Sequence, residues 1–414
     1  MKEENKSPRK RTRSLDEEAP VRERKRARAI PAEERSREQA PKRHRTSGNE
    51  EEQRLHKKAR ISEKQGEVLP LISTNLPTGS AGDHLQTHLK PEKPLAQSLD
   101  SYRFHEVLGE GSFGKVMLAT IQSTGQLVAV KVINKDKQHS DLVLTEKRVL
   151  QVARGSPFLC RGLAAFQTQE NSYLVMEYMP GGSLASYLAK KGRLSVKETR
   201  VLAAEIICGM QYLHSHGMVH RDLKPANLLL DGEGHIKIAD FGLVVENITG
   251  DKKISGRCGT RRFMAPEVLD NTAYGAAADW WSLGVILSHL MIGEHPFKQK
   301  LCKPRFAQEF LYTYFDLPKW LPSDASDLLT QLLDEDPETR LGVNGNIRDH
   351  PFFAGVNWQE IEKRQVTSQF LPLTSQGAVT DYTAEVFSFI KDNRSVSEKH
   401  LIQNLSFVNP EWKM

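Results

Sequence analysis

Eight consecutive residues, His220-Arg221-Asp222-Leu223-Lys224-Pro225-Ala226-Asn227, constrain this 414-residue chain more than any other stretch. Five ionisable or amide side chains crowd into them, and Asp240-Phe241-Gly242 follows shortly after. A polar loop between a helix and a hairpin supplies no reason for that density. Moving a phosphoryl group onto a hydroxyl does supply one. It needs a carboxylate such as Asp222 to accept the hydroxyl proton and a cation such as Lys224 to steady charge on the moving group. It also needs a pair such as Asn227 and Asp240 to hold Mg²⁺.

Composition divides the chain near residue 99. Residues 1–99 contain no Phe, Tyr, Trp or Cys, and so offer little from which to build a core. They carry 23 Lys and Arg against 16 Asp and Glu, whereas the remainder carries 35 against 36, so the whole basic excess sits in this arm. Its clusters, Arg9-Lys10-Arg11, Arg22 to Arg28 and Pro41 to Arg45, read as a disordered, solvated arm. The alternative is a nuclear-import patch or a weak, sequence-indifferent contact with nucleic acid. Aromatic stacking residues for a dedicated nucleic-acid groove are missing from it.

No apolar run is long enough to span a bilayer and the N-terminus is charged, so a monomeric chain without a membrane span, cytoplasmic and/or nuclear, is expected. Cys160, Cys208, Cys258 and Cys302 show no zinc or redox spacing and read as structural thiols in a reducing compartment.

The body begins at about Tyr102 with Val107-Leu108-Gly109-Glu110-Gly111-Ser112-Phe113-Gly114-Lys115-Val116. Glycines allow backbone amides to approach phosphate oxygens, but in a dinucleotide-binding fold they would open a helix. Here β-branched, hairpin-like sequence follows, through Leu127-Val128-Ala129-Val130-Lys131-Val132, so the loop is expected to fold over a nucleotide between two antiparallel strands. Lys131 is a lone charge in an apolar strand and needs an anionic partner. Phosphate oxygens are one candidate. Glu146, within the helical stripe of Leu142, Val149, Leu150 and Ala153, is another, and a Lys131–Glu146 pair would neutralise both groups.

Leu174 to Met179 runs into Pro180-Gly181-Gly182-Ser183, which predicts a strand ending at a hinge, with backbone groups of Glu177 and Met179 facing an adenine. Lys197 to His216 predicts a long core-facing helix, and Asp279 to Met291, apolar nearly all round, a central buried one.

With these motifs in order, and with Ala265-Pro266-Glu267, the chain resembles a eukaryotic protein kinase from about Phe104 to Phe353. Thr145 to Leu150, Gly234 to Asp240, Cys258-Gly259-Thr260 and His350-Pro351-Phe352-Phe353 resemble the AGC group, nearest its protein kinase C branch, since the chain ends in Leu405-Ser406-Phe407-Val408-Asn409-Pro410. Aurora-like and ribosomal-kinase-like branches stay open, because His220 and Pro225-Ala226 depart from the protein kinase C pattern.

The resemblance implies an α+β, bilobal fold. A small β-rich lobe (104–177) with one key helix would face a larger helical lobe (182–353), followed by a lobe-clamping tail (354–414). It implies ATP and Mg²⁺ as cofactors, Asp222, Lys224, Lys131 and Glu146 as the catalytic set, and Asn227 with Asp240 at the metal. Leu108 to Val116, Ala129, Lys131, Glu177 and Met179 would surround the nucleotide, and Glu267 would pair with Arg340. Protein substrates and an upstream activating kinase are the implied partners. Lys224-Pro225 and Gly259-Thr260 favour serine/threonine over tyrosine acceptors. A pseudokinase-like scaffold with a basic recruitment arm is the rival, against which Lys131, Asp222, Asn227 and Asp240 are all present.

Four departures from the group carry information. Cysteine-rich lipid-binding and calcium-binding modules are not expected ahead of the catalytic body. Gly256 stands where an activating threonine is usual, leaving Ser255 or Thr249 as substitutes to partner Arg221. Ser183, Ala226 and His289 stand where basic-directed members carry acids, and Arg261-Arg262 follows Thr260, which weakens selection for arginine and leaves acidic or primed substrates open. The tail motif Ile402 to Phe407 has aliphatic anchors, so looser docking is expected, with Ser406 and Ser395 at phosphosite-like positions.

Overall fold

The computed structural model describes residues 95–111, 114–136, 138–297, 317–368, 370 and 401–412. Its first part is an antiparallel sheet of β1 (Tyr102–Gly111), β2 (Gly114–Ile121), β3 (Leu127–Asn134), β4 (Gly162–Gln167) and β5 (Asn171–Glu177), ordered β1-β2-β3-β5-β4. Strand alternation sorts the side chains of β3. Val128, Val130 and Val132 join Phe166 and Tyr173 on one face, while Ala129 and Ile133 turn to the other. That other face packs on helix α1 (Ser140–Val152), whose buried positions are Val143, Glu146, Val149 and Leu150; Val149, Leu150 and Glu146 are as expected, whereas Val143 takes the buried place given to Leu142, which is half-buried. By the same alternation Lys131 points towards α1.

The larger part is helical and is led by α2 (Leu184–Lys191) and α3 (Val196–Ser215). α3 starts at a capping box, in which Ser195 Oγ accepts from the Glu198 N–H and the Glu198 carboxylate accepts from the Ser195 N–H. A small sheet of β6 (Gly182–Ser183), β7 (Leu228–Leu230) and β8 (Ile236–Ile238) lies beyond it. Next come α4 (Pro266–Leu269), α5 (Ala277–Ile292) and α6 (Ser323–Leu332). Nearly every residue of α5 is buried, as its apolar circumference requires. The structure is thus the expected α+β, two-lobed arrangement. No helix among the described residues is long and apolar enough to cross a membrane.

The start of the body at Tyr102 is as expected, but the end of the arm is not. Strand β1 begins at Tyr102, and two 3₁₀ turns, Leu95–Gln97 and Leu99–Ser101, precede it. Ala96 is fully buried and its carbonyl accepts from the Tyr102 hydroxyl at 2.7 Å, so the folded body already includes residues assigned to the arm. Composition missed this because one small apolar residue and a main-chain acceptor suffice for the contact. Residues 1–94, which carry the basic clusters, lie outside the described residues.

The tail docks on the small lobe, as expected. Strand β9 (Phe407–Val408) joins the free edge of β4, pairing Ala164 with Val408 and Ala165 with Phe407. Gln167 exchanges two 2.8 Å hydrogen bonds with the Ile402 backbone, and Lys147 Nζ donates to the Asn404 carbonyl at 2.6 Å. Leu405 is fully buried. Main-chain bonds of this kind are indifferent to whether the anchors are aromatic or aliphatic. Ser406 is exposed, whereas Ser395 and Cys302 lie outside the described residues.

Candidate active site

The expected Lys131–Glu146 pair is present. Lys131 Nζ donates to Glu146 Oε1 at 2.6 Å and to Asp240 Oδ1 at 2.9 Å, so one ammonium ties β3, α1 and the Asp-Phe-Gly turn together. Glu146 is almost wholly buried, so the pair forms away from bulk water. Burial alone would depress the Lys131 pKa, but the two carboxylates overrule it and hold the ammonium firmly charged. Asp240 is held below its ordinary range by Lys131, against the opposing effect of burial. For Glu146, burial pushes upward more than Lys131 pulls down.

On the other side of the cleft, Asp222 is a crowded acceptor. Its Oδ1 receives the Thr260 N–H at 2.8 Å and the Thr260 hydroxyl at 2.6 Å. Its Oδ2 receives Lys224 Nζ at 2.7 Å and Asn227 Nδ2 at 3.2 Å. Lys224 also reaches the Thr260 hydroxyl at 2.8 Å. The backbone beneath is held from the core, because the buried Asp279 of α5 accepts the N–H groups of His220 and Arg221 and the ring of His214. Burial would raise the Asp279 pKa, but those donors hold it down.

Arg221 and Asp240 both have left-handed φ angles, 68° and 61°. Such strain at non-glycine residues clusters where a site dictates backbone shape. Gly259, at φ 103°, is required by a close approach, since a Cβ there would stand 2.2 Å from the Arg221 carbonyl oxygen.

Several features fit a nucleotide with magnesium. A Cβ on Gly109 would meet nothing within 4 Å, so the hairpin of β1 and β2 stands over open space. Buried Met179 has a backbone N–H with no acceptor among the described residues, and the Cys160 thiol stands 3.9 Å from the Glu177 carbonyl. Asn227 uses its amide nitrogen on the Asp222 carbonyl and carboxylate, which leaves its amide oxygen's lone pairs for a metal, and its main-chain carbonyl accepts the N–H of Ala239, the neighbour of Asp240. No cluster of three His, Cys, Asp or Glu ligands exists among the described residues. Magnesium commonly takes only one or two protein oxygens together with substrate phosphates, so two donors match it.

The remaining candidates spread as the hairpin dictates. Leu108 is 41% exposed, Glu110 and Lys115 pair across the hairpin at 3.4 Å, and Val116 and Ala129 pack against the main core. Ser112 and Phe113 lie outside the described residues. Glu267 and Arg340 pair as expected, through two hydrogen bonds of 2.7 and 3.0 Å in the interior. Cys160 and Cys208 are buried free thiols; burial pushes Cys208 up to about 12 and Cys160 further, in keeping with inert structural thiols.

Sequence reasoning missed three contacts. Thr260 was assigned to acceptor choice, yet its hydroxyl bonds both Asp222 and Lys224. The Glu177 side chain, beside the adenine-facing backbone, anchors Lys237 at 2.7 Å and Arg161 at 3.1 Å. The His214–Asp279 contact had one available signal, a histidine in the last turn of α3 just ahead of the His220 loop.

A protein kinase domain model matches residues 102–353. Protein kinase C delta type of Mus musculus is 40% identical over 330 residues, covering 76% of this chain and 48% of that protein. Its Homo sapiens counterpart is 38% identical over 353 residues, covering 81% and 52%. A Drosophila melanogaster protein kinase C is 40% identical over 306 residues, covering 71% and 40%. The chain therefore spans about half the length of the curated relatives it matches. With the match running from the first residue of β1 to Phe353, the chain belongs to the protein kinase family.

Proposed function

We propose that this chain is an ATP-dependent protein serine/threonine kinase of the protein kinase C-like type. The observation that carries the reading is the position of Lys131 Nζ, between Glu146 and Asp240, across the cleft from Asp222 with its lysine and amide partners. Magnesium held by Asp240 and Asn227 would neutralise charge on the phosphate oxygens. Lys131 binds phosphate oxygens from the sheet side. Asp222 orients the acceptor hydroxyl and takes its proton as the new O–P bond forms and the bond to the departing nucleoside diphosphate breaks. Lys224 stabilises charge on the transferred group, and Glu146 keeps Lys131 extended.

Lys131, Glu146, Asp222, Asn227 and Asp240 are all present, with Lys131 bonded to Glu146 and Asp240 and Asn227 bonded to Asp222, which supports an enzyme over a scaffold. Residence in the cytoplasm or nucleus, with the basic arm as import signal or weak nucleic-acid contact, is supported by composition alone. Purified chain with ATP, Mg²⁺ and a panel of Ser and Thr peptides should transfer phosphate, and Asp222→Ala should abolish transfer while nucleotide binding persists. Wild-type transfer no higher than that of Asp222→Ala would sink the reading.

A further inference from the structure

The segment leading to Thr260 and beyond it is strongly basic. Arg257, Arg261 and Arg262 are all exposed, and Thr260 itself touches the Asp222 carboxylate. Consecutive Cα atoms are about 3.8 Å apart, so Arg261 and Arg262 originate within roughly 4 and 8 Å of Thr260. A peptide that presents its hydroxyl to Asp222 therefore runs beside them.

The backbone that carries these arginines is pinned rather than loose. The Phe263 N–H donates to the Thr260 carbonyl at 2.8 Å, His295 Nε2 lies 2.7 Å from the Arg262 carbonyl oxygen, and Ser282 Oγ donates to the Phe263 carbonyl at 2.8 Å. With the main chain anchored inward, the guanidinium groups face solvent.

Two of the three arginines keep their charge among the described residues. Arg257 and Arg262 form no ion pair among the described residues. Of the acids on adjoining segments, Glu267 is taken by Arg340 and Glu294 is itself engaged. Across the catalytic loop, Ala226 is exposed and uncharged, and Ser183 spends its hydroxyl capping α2. An exposed basic run is usually just a solvated face; this one adjoins the group that accepts the substrate proton.

We propose that the preferred acceptor carries an anionic side chain, carboxylate or phosphate, within about two residues of the hydroxyl to be modified, held by Arg262 with Arg257. Guanidinium groups bind both anions through paired N–H donors, and a phosphate offers more acceptor oxygens and more charge than a carboxylate. The proposal rests on the kinase reading above and names its substrate class.

The test is a positional Ser-peptide library assayed with the full chain and Mg-ATP, in which each flanking position is Ala, Asp, phosphoserine or Arg. The expected result is a kcat/KM higher for Asp than for Ala at one or two flanking positions by about twofold to fivefold per acid, as exposed ion pairs allow. Arg there should be worse than Ala, and added salt should erase the advantage. Phosphoserine well above Asp identifies a primed substrate; parity identifies a plain acidic one.

Arg262→Glu should reverse the Asp-to-Arg ranking. Efficient transfer with no acidic preference, or with a preference for Arg, overturns this inference and leaves the kinase reading standing. Absence of transfer to every peptide overturns both.

Discussion

The Thr260 hydroxyl lies 2.6 Å from Asp222 Oδ1 and 2.8 Å from Lys224 Nζ, so one side chain holds both the proton acceptor and the charge-stabilising lysine. Removing that hydroxyl frees both groups to reorient. Thr260→Val keeps the side-chain shape and should lower kcat by about tenfold to a hundredfold, the scale set by small misplacements of reacting groups. The KM for ATP should hold, because no nucleotide-facing group is touched. Thr260→Ser should recover most of the rate; a serine variant as slow as the valine variant would show that packing, not the hydroxyl, matters.

How much of this site was readable beforehand depends on where each contact falls along the chain. Lys131 with Glu146 was legible because a charge in an apolar strand and an acid on a buried helical stripe are each anomalous alone. Thr260 with Asp222 was not, since the partners are 38 positions apart in irregular loops that carry no periodicity. Main-chain donors and acceptors leave no trace in side-chain composition, which hid Ala96 under Tyr102 and the bonds seating Ile402 and Asn404. The long helices were legible to within a residue or two, because the 3.6-residue period repeats several times in each. β9 contains only two residues, too few for alternation to register.

Arg340 is wholly buried, and its guanidinium forks onto the Glu267 carboxylate while also donating to the Ala277 and Asp334 carbonyls. Removing one member of a buried pair leaves an uncompensated charge. Arg340→Ala should therefore destabilise the fold by about 3–5 kcal/mol, measured by chemical denaturation. Replacing both Arg340 and Glu267 with apolar residues should cost less than the sum of the single changes. Strict additivity would show that the two side chains act independently.

Seating of the tail on β4 predicts a stability effect far from the catalytic loop. Leu405 is fully buried against the small lobe, and a buried Leu→Ala change costs about 2–5 kcal/mol where the surroundings cannot collapse. Leu405→Ala should lower the thermal midpoint and expose the 401–412 segment to limited proteolysis. Ser406→Ala, at an exposed position, should do neither. A Leu405→Ala protein with an unchanged midpoint and digestion pattern would mean that the tail contributes nothing to the fold.

The pH dependence of stability has a definite sign at His289 and His295. Both imidazoles are held below the ordinary value of 6.5, first by burial and then by neighbouring positive charge, which for His289 comes from His295 and Arg262. Carbonyls of Arg262 and Phe297 favour the charged ring of His295, without reversing the shift. Below 6.5 the unfolded chain therefore takes up protons that the folded chain refuses. The stability due to these neutral rings is complete above 6.5 and is lost as pH falls from 6.5 through the folded-state values. Wild-type thermal midpoints should drop between about pH 7.5 and pH 5.5, and His289→Gln, which removes one titrating ring, should show a shallower drop over the same window. A variant profile parallel to wild type would assign the acid sensitivity to other groups and remove His289 from the account.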